Sequence, residues 1–327
     1  MSGGTAQDPV QSGTAQDPVR GGTAQDPVQS GTAQDPVRGG TAPDPVRAVR
    51  GLARARLGDG RVVLVRIESE KATVLATESD HPAADVLREA LHTGAWRADG
   101  EPVAAGDLEL LAPVVNPSKI VCVGLNYRDH AEESGVEPPA RPLLFAKFPN
   151  ALRASGAVVE VPEDLSGQLD YEGELGIVIG RRARDVALDE ALDHVLGYVA
   201  ANDLSARDAQ FSDGQWLRGK SADGFCPVGP VVTLAEDVED PQALRIVTRL
   251  NDQVVQDGST EKMIFSVAEI VSYASRYLTL EPGDLILTGT PPGVGFARTP
   301  PLVVGDGDVV TVTVEGVGEV VNRVRVI

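Results

Sequence analysis

The chain has 327 residues, 42% of them hydrophobic, and a formal net charge of −19. That length allows one or two domains with a core, and the negative balance argues against nucleic acid or an anionic membrane as a partner. No apolar run approaches the roughly 20 residues of a membrane-spanning helix, and Met1–Pro9 lacks the basic and apolar regions of a secretory signal. A soluble cytoplasmic protein is expected. Its two cysteines, Cys122 and Cys226, have no CxxC neighbour, which suits core packing in a reducing compartment.

The chain opens on repeats. Gly-Thr-Ala-Gln-Asp-Pro-Val recurs from Gly4, Gly13, Gly22 and Gly31, with a Pro43 variant from Gly40. Each nine-residue unit offers one valine and no aromatic, too little apolar surface to offset the entropy of ordering. Residues 1–47 are therefore expected to be a disordered tail rather than a solenoid. From 48 to 116 the pattern predicts a small accessory domain. Arg61–Ile67 follows a Gly58-Asp59-Gly60 turn and reads as a strand; Ala83–Leu91 has helical spacing and stops near Gly94. No chemistry-bearing cluster falls in this region.

Residues 117–327 carry the chemistry. Tyr127–Gly135 reads as a short helical turn with His130 and Glu133 three apart on one face, so the carboxylate could orient the imidazole as a base. An incidental surface histidine fits the same spacing. Leu169–Gly180 reads as a strand in which Glu172 and Glu174 share a face. Two adjacent buried carboxylates need a positive charge between them, and oxygen ligands suit Mg²⁺, Mn²⁺ or Ca²⁺. A solvated strand edge with two unrelated glutamates is the bland alternative. Val195–Asn202 reads as a second buried strand, delivering Asp203 at its end as a third oxygen ligand or a turn residue.

Gly214–Ser221 satisfies the G-x-x-x-x-G-K-[ST] pattern of a nucleotide-binding loop. That loop needs an apolar strand before it and a helix after it. Here Arg207–Asp213 precedes it and Gly224 and Pro227 follow closely, so the nucleotide reading is rejected. Lys220 within it is either a surface lysine or an electrophilic partner for an enolate or oxyanion. Short strands bounded by Gly and Pro, including a Leu250–Val255 hairpin and the terminal Val309–Val314 and Val320–Ile327 pair, surround one clear helix near Ser266–Tyr277. This predicts a β-rich, mixed α+β roll.

Five segments keep one order: Gly124–His130, Glu172-Gly173-Glu174, Asn202–Asp208, Gln215–Lys220 and Pro282–Gly295. In that order they resemble the fumarylacetoacetate hydrolase family over roughly residues 117–327. The resemblance implies a mixed β-sandwich roll, a likeness to homodimers, and a water-activating pair at His130 and Glu133. It also implies a Mg²⁺ or Mn²⁺ site at Glu172, Glu174 and Asp203, and substrate contacts at Gln210 and Thr290. Lys147, flanked by Phe145 and Phe148, would need an anion if buried, and a substrate carboxylate is a candidate. Ile120–Gly124 lacks the further acidic ligand of true fumarylacetoacetases, which points to the shorter prokaryotic-type members. The expected reaction is C–C hydrolysis of a 2,4-dioxo acid through a metal-chelated enolate, with Lys220 steadying the oxyanion. Enol–keto isomerisation of a hydroxymuconate and oxaloacetate decarboxylation share that intermediate. A non-catalytic binding protein on the same scaffold is the rival from another class, disfavoured by the complete set of acidic and basic candidates. Because the repeats lack core-forming residues, a truncation starting near Ala48 is expected to keep its kcat and melting temperature; a loss of activity at equal folded concentration would implicate the tail.

Overall fold

The computed structural model describes residues 50–68, 71–79, 85–97 and 100–327; the repeats and the start of the expected Ala83–Leu91 helix lie outside them. Before residue 117 come β1 (Arg50–Arg56), β2 (Val62–Glu68), β3 (Lys71–Thr77), α1 (Val86–Thr93), β4 (Glu101–Ala104) and β5 (Glu109–Leu110). Asp85 caps α1 by accepting from Arg88 N at 3.0 Å, and Gly94 ends it in the left-handed conformation at φ 76°, the usual stop for a helix.

Next come β6 (Ile120–Gly124), α2 (Arg128–Glu133), β7 (Leu143–Lys147), β8 (Leu152–Ala154), β9 (Val159–Val161), β10 (Leu169–Asp170) and β11 (Gly173–Ile179). They are followed by β12 (Val195–Asn202), β13 (Ser205–Ala206), α3 (Arg207–Ser212), α4 (Leu217–Lys220), β14 (Cys226–Val228) and β15 (Val231–Leu234). The chain closes with β16 (Arg245–Leu250), β17 (Gln253–Ser259), α5 (Val267–Tyr277), β18 (Leu285–Leu287), β19 (Val309–Val314) and β20 (Gly318–Val326). The expected helix is thus α5, held by a capping box between Ser266 and Glu269.

One long sheet runs β4-β3-β2-β1-β15-β12-β11-β18-β6-β7, and a second runs β17-β16-β19-β20-β9. The two face each other where β16 and β19 approach β11, and β19 and β20 approach β12. β11 and β12 are buried along their whole length, which explains why their sequences are continuous apolar runs rather than alternating ones. β19 alternates buried and half-buried residues because only one of its faces meets the core. β1 joins the sheet through β15, with Leu52 opposite Val232. Its alternate residues serve two cores: Leu52 belongs to the main one, while Ala53 and Ala55 pack with Val63, Val65, Ile67 and Val231.

The expected continuous strand from Leu169 to Gly180 is broken. β10 pairs with β13 in a separate two-stranded ladder, and Tyr171 and Glu172 link it to β11. The break has a local cause: Asp170 Oδ1 accepts from Tyr171 N, and Glu172 N donates to the side chain of Asn202 instead of a ladder carbonyl. The start of β11 lies beside the end of β12, with Gly173 opposite Asn202, and the parallel ends of β18 and β6 lie next to them. Loops leaving these strand ends meet at one place, the site described below.

Cys122 and Cys226 are both fully buried in the main core. Burial pushes both thiols up, Cys226 to about 12, so neither supplies thiolate near neutral pH. A thiol reagent is expected to leave the native protein unlabelled and to label two cysteines per chain in denaturant; native labelling at a comparable rate would contradict this burial.

Candidate functional site

Glu172, Glu174 and Asp203 converge, each offering an oxygen within 4.8 Å of the others. They are 7%, 2% and 0% exposed, so no solvated strand edge is involved. Backbone stitching brings them together: Asp203 N donates to Glu172 O at 2.9 Å, across the gap between the β10–β11 linker and the end of β12. The residue between the glutamates has to be glycine. A Cβ on Gly173 would lie 2.1 Å from Thr248 Oγ1 on the facing sheet.

Three buried cations meet these carboxylates. Lys220 donates to Glu172 Oε2 at 2.7 Å and Asp203 Oδ2 at 2.9 Å. Arg207 pairs with Glu172 Oε1 at 2.7 Å and donates from Nε to Asp170 Oδ2 at 2.9 Å. Lys147 donates to Asp203 Oδ1 and to Leu204 O. Among the described residues no cation pairs with Glu174; its Oε2 accepts from Gly289 N at 2.7 Å. Burial, and then the neighbouring Asp203 and Glu172, hold the Glu174 carboxyl well above the usual range. Burial would raise Glu172 as well, but Lys220 and Arg207 outweigh it and bring that carboxyl down. Burial would lower Lys220, and Asp203 and Glu172 override it to raise the ammonium.

Among the described residues, the buried carboxylates of this cluster, Asp170 included, number four against three cations, and Glu174 is the acid left without a partner. An oxygen-only donor set with an excess negative charge fits a divalent cation such as Mg²⁺, Mn²⁺ or Ca²⁺. Glu172, Glu174 and Asp203 are the residues that could hold it.

His130 and Glu133 come from α2. His130 Nδ1 lies 3.0 Å from Glu133 Oε2. The helix is placed by Asn126, which is wholly buried: its Nδ2 donates to Thr288 O at 2.8 Å and Phe265 O at 3.1 Å, and its Oδ1 accepts from Phe265 N at 2.9 Å. This single amide ties the end of β6 to the end of β18 and to the loop before α5. His130 opens onto a cavity of about 220 Å³ that Glu172, Glu174, Arg207, Lys220 and Gln210 also line. Four aromatic side chains also line it. Phe145 and Trp216 pack edge to face at 5.2 Å, Phe211 and Phe296 at 5.4 Å, and Arg207 stacks on Phe296 at 4.4 Å.

Of the other expected residues, Thr290 lines the cavity, with its hydroxyl bonded to Gly173 O and Gln256 Nε2. Gln210 accepts from Arg207 at 2.9 Å. Lys147 is buried but is not among the cavity-lining residues, and the anion it requires is Asp203 rather than a substrate. The nucleotide-like segment is no phosphate cradle: Lys220 points at two carboxylates, and a Cβ on Gly219 would lie 2.6 Å from Gln210 N. Sequence reasoning did not assign Asp170, Asn126 or Arg207. Asn126 and Arg207 lie inside the quoted motifs and Asp170 in the run read as a strand from Leu169, but no periodicity distinguishes a buried charged or amide side chain from an exposed one.

Residues 119–325 match the family described as fumarylacetoacetate (FAA) hydrolase C-terminal. The chain is 41% identical over 224 residues to "Oxaloacetate tautomerase fahd2, mitochondrial" of Xenopus laevis, covering 68% of this chain and 70% of the relative. Among solved structures it is similar to 2-hydroxyhepta-2,4-diene-1,7-dioate isomerase from Mycobacterium marinum, with TM-score 0.68, 39% identity and 85% and 98% of the two chains covered. It is also similar to fumarylacetoacetate hydrolase from Exiguobacterium antarcticum, with TM-score 0.75, 37% identity and 85% and 100% covered. On the family match and this degree of identity, the chain belongs to the fumarylacetoacetate hydrolase family.

Proposed function

We propose that this chain is a divalent-metal-dependent enzyme interconverting the keto and enol forms of a small 2-oxo acid, with oxaloacetate-type dicarboxylates as its substrate class. One observation carries the reading: a single cavity holds both an oriented imidazole and a buried cluster of carboxylates and cations. The names borne by the Xenopus tautomerase and the Mycobacterium isomerase support it.

The proton inventory follows from the geometry. Glu133 already accepts from Gly293 N, so the hydrogen in its contact with His130 belongs on Nδ1. A neutral imidazole then carries its lone pair on Nε2, the atom left to take a proton from C3 of the 2-oxo acid. The C3–H electrons become the C2=C3 bond, and the carbonyl pair moves onto the C2 oxygen. The ammonium of Lys220 opposes the charge developing there, and Nε2–H returns the proton to that oxygen to complete the enol. No water is consumed. A divalent cation held by Glu172, Glu174 and Asp203 would supply Lewis-acid stabilisation of the same oxygen.

C–C hydrolysis of a 2,4-dioxo acid is the second reading, favoured by the His130–Glu133 hydrogen bond. There Nε2 would deprotonate a water that attacks the C4 carbonyl, and the C3–C4 bond would break. His130→Ala is expected to lower kcat for oxaloacetate enol ketonisation, followed by ultraviolet absorbance, by about 10²- to 10⁴-fold with Mn²⁺ affinity unchanged. Unchanged ketonisation would remove His130 from the reaction, and acylpyruvate cleavage without ketonisation would select the second reading. Glu174→Ala is expected to weaken Mn²⁺ binding in calorimetry by at least about tenfold. Full activity of chelator-treated protein would sink the metal assignment.

A further inference from the structure

We propose that Tyr171 and Arg298 are positioning residues for the His130–Glu133 pair, acting through the backbone of Gly293. This rests on the acid–base role given to His130 above. Neither residue is among those lining the cavity, so neither is placed to touch substrate.

Glu133 ends a six-residue helix with a quarter of its side chain exposed. A carboxylate so placed has many rotamers open to it, and only a partner beyond the helix can select the one that meets His130. That partner is Gly293, whose N–H donates to Glu133 Oε1 at 2.9 Å and Oε2 at 3.1 Å. Gly293 is itself clamped from the other side. Tyr171 Oη donates to its carbonyl at 3.0 Å, and Arg298 reaches the same oxygen from Nε at 3.3 Å and Nη2 at 3.2 Å. Arg298 Nη2 also donates to Val255 O at 2.5 Å, fixing the guanidinium to β17. The glycine is required on two counts: its φ is +105°, and a Cβ would lie 2.2 Å from Val255 O.

The same loop serves the metal-binding side. Gly295 N and Phe296 N donate to Asp170 at 2.7 and 3.1 Å, and Asp170 anchors Arg207 against Glu172. Tyr171 therefore lies between two tethers of one strap. Its neighbours Asp170 and Glu172 belong to the charge cluster, while its own hydroxyl reaches over to the acid–base pair.

The test is a double-mutant cycle on the full chain. Tyr171→Phe removes one hydroxyl, and the net worth of one neutral hydrogen bond corresponds to about a two- to tenfold loss in kcat. KM and Mn²⁺ affinity should be unchanged. In a Glu133→Ala background the same substitution should have no effect on kcat, because the group through which it acts is gone. Arg298→Ala should follow the same pattern; should it fail to fold, Tyr171→Phe alone decides. Unchanged kcat in Tyr171→Phe, or an equal loss in both backgrounds, would overturn the proposal and leave these residues as loop supports. Wild-type kcat in both His130→Ala and Glu133→Ala is a separate result, which would overturn the acid–base reading itself.

Discussion

Buried charge is the constraint on which this site depends. Asp170, Glu172, Glu174 and Asp203 lie in the interior with Lys147, Arg207 and Lys220, each at most 7% exposed. Taking such groups out of water costs several kcal/mol apiece unless partners are in place, and removing one partner from a buried pair typically costs about 3–5 kcal/mol. The cluster must therefore assemble as a set. Lys220 bridges Glu172 and Asp203, Arg207 bridges Glu172 and Asp170, and Lys147 supports Asp203 from behind. Among the described residues Glu174 is the member without a cation, and with Glu172 and Asp203 it forms a set of oxygens able to hold a metal ion.

The fold's contribution is to bring strand ends together without letting backbone polar groups go unpaired. Continuous apolar strands such as β11 and β12 form a rigid floor, and their ends release Glu174 and Asp203 side by side. Where chain leaves the ladder, side chains take over its hydrogen bonds: Asn202 for Glu172 N, Gln256 for Gly173 N, and Asn126 for Phe265 N. Buried donors and acceptors have to be satisfied, so these amides hold the loops as firmly as a sheet would.

Much of this was legible in the sequence because it is local. His130 and Glu133 share a helix face by spacing alone, and Glu172-Gly173-Glu174 announces two close carboxylates whatever the backbone does. The strands β2, β12 and β19 and the capped helix α5 follow from composition and end signals. What failed to show was long-range. Glu172 was expected within a strand, and the competition from Asn202, thirty residues on, removes it from one. Lys147 required an anion, but only the folded chain shows that Asp203 meets the need. Asp170 and Arg207 likewise find each other across 37 residues, through contacts that no spacing rule encodes.

On the proposed reading, the choice between tautomerisation and hydrolysis lies in the substrate's carbon skeleton as much as in the protein. Both pass through a C2–C3 enolate of a 2-oxo acid and use the same nitrogen, Nε2 of His130. They differ in whether a water has an electrophile to attack. The C4 of oxaloacetate is a carboxylate, resistant to addition, so a base beside it is left with the C3 proton. The C4 of a 2,4-dioxo acid is a ketone, and a water activated by the same imidazole could add there and release the C3 carbon as an enolate. The aromatic wall of Phe145, Trp216, Phe211 and Phe296 disfavours an unpaired water, because a water needs two to four polar partners to be held. In this cavity those partners are the polar lining groups, among them His130, Arg207, Gln210 and Lys220, to which the head of the proposed 2-oxo acid would also bind. On the proposed reading, competition between substrate head and water for the same polar groups would tilt the site toward moving a proton rather than breaking a carbon–carbon bond.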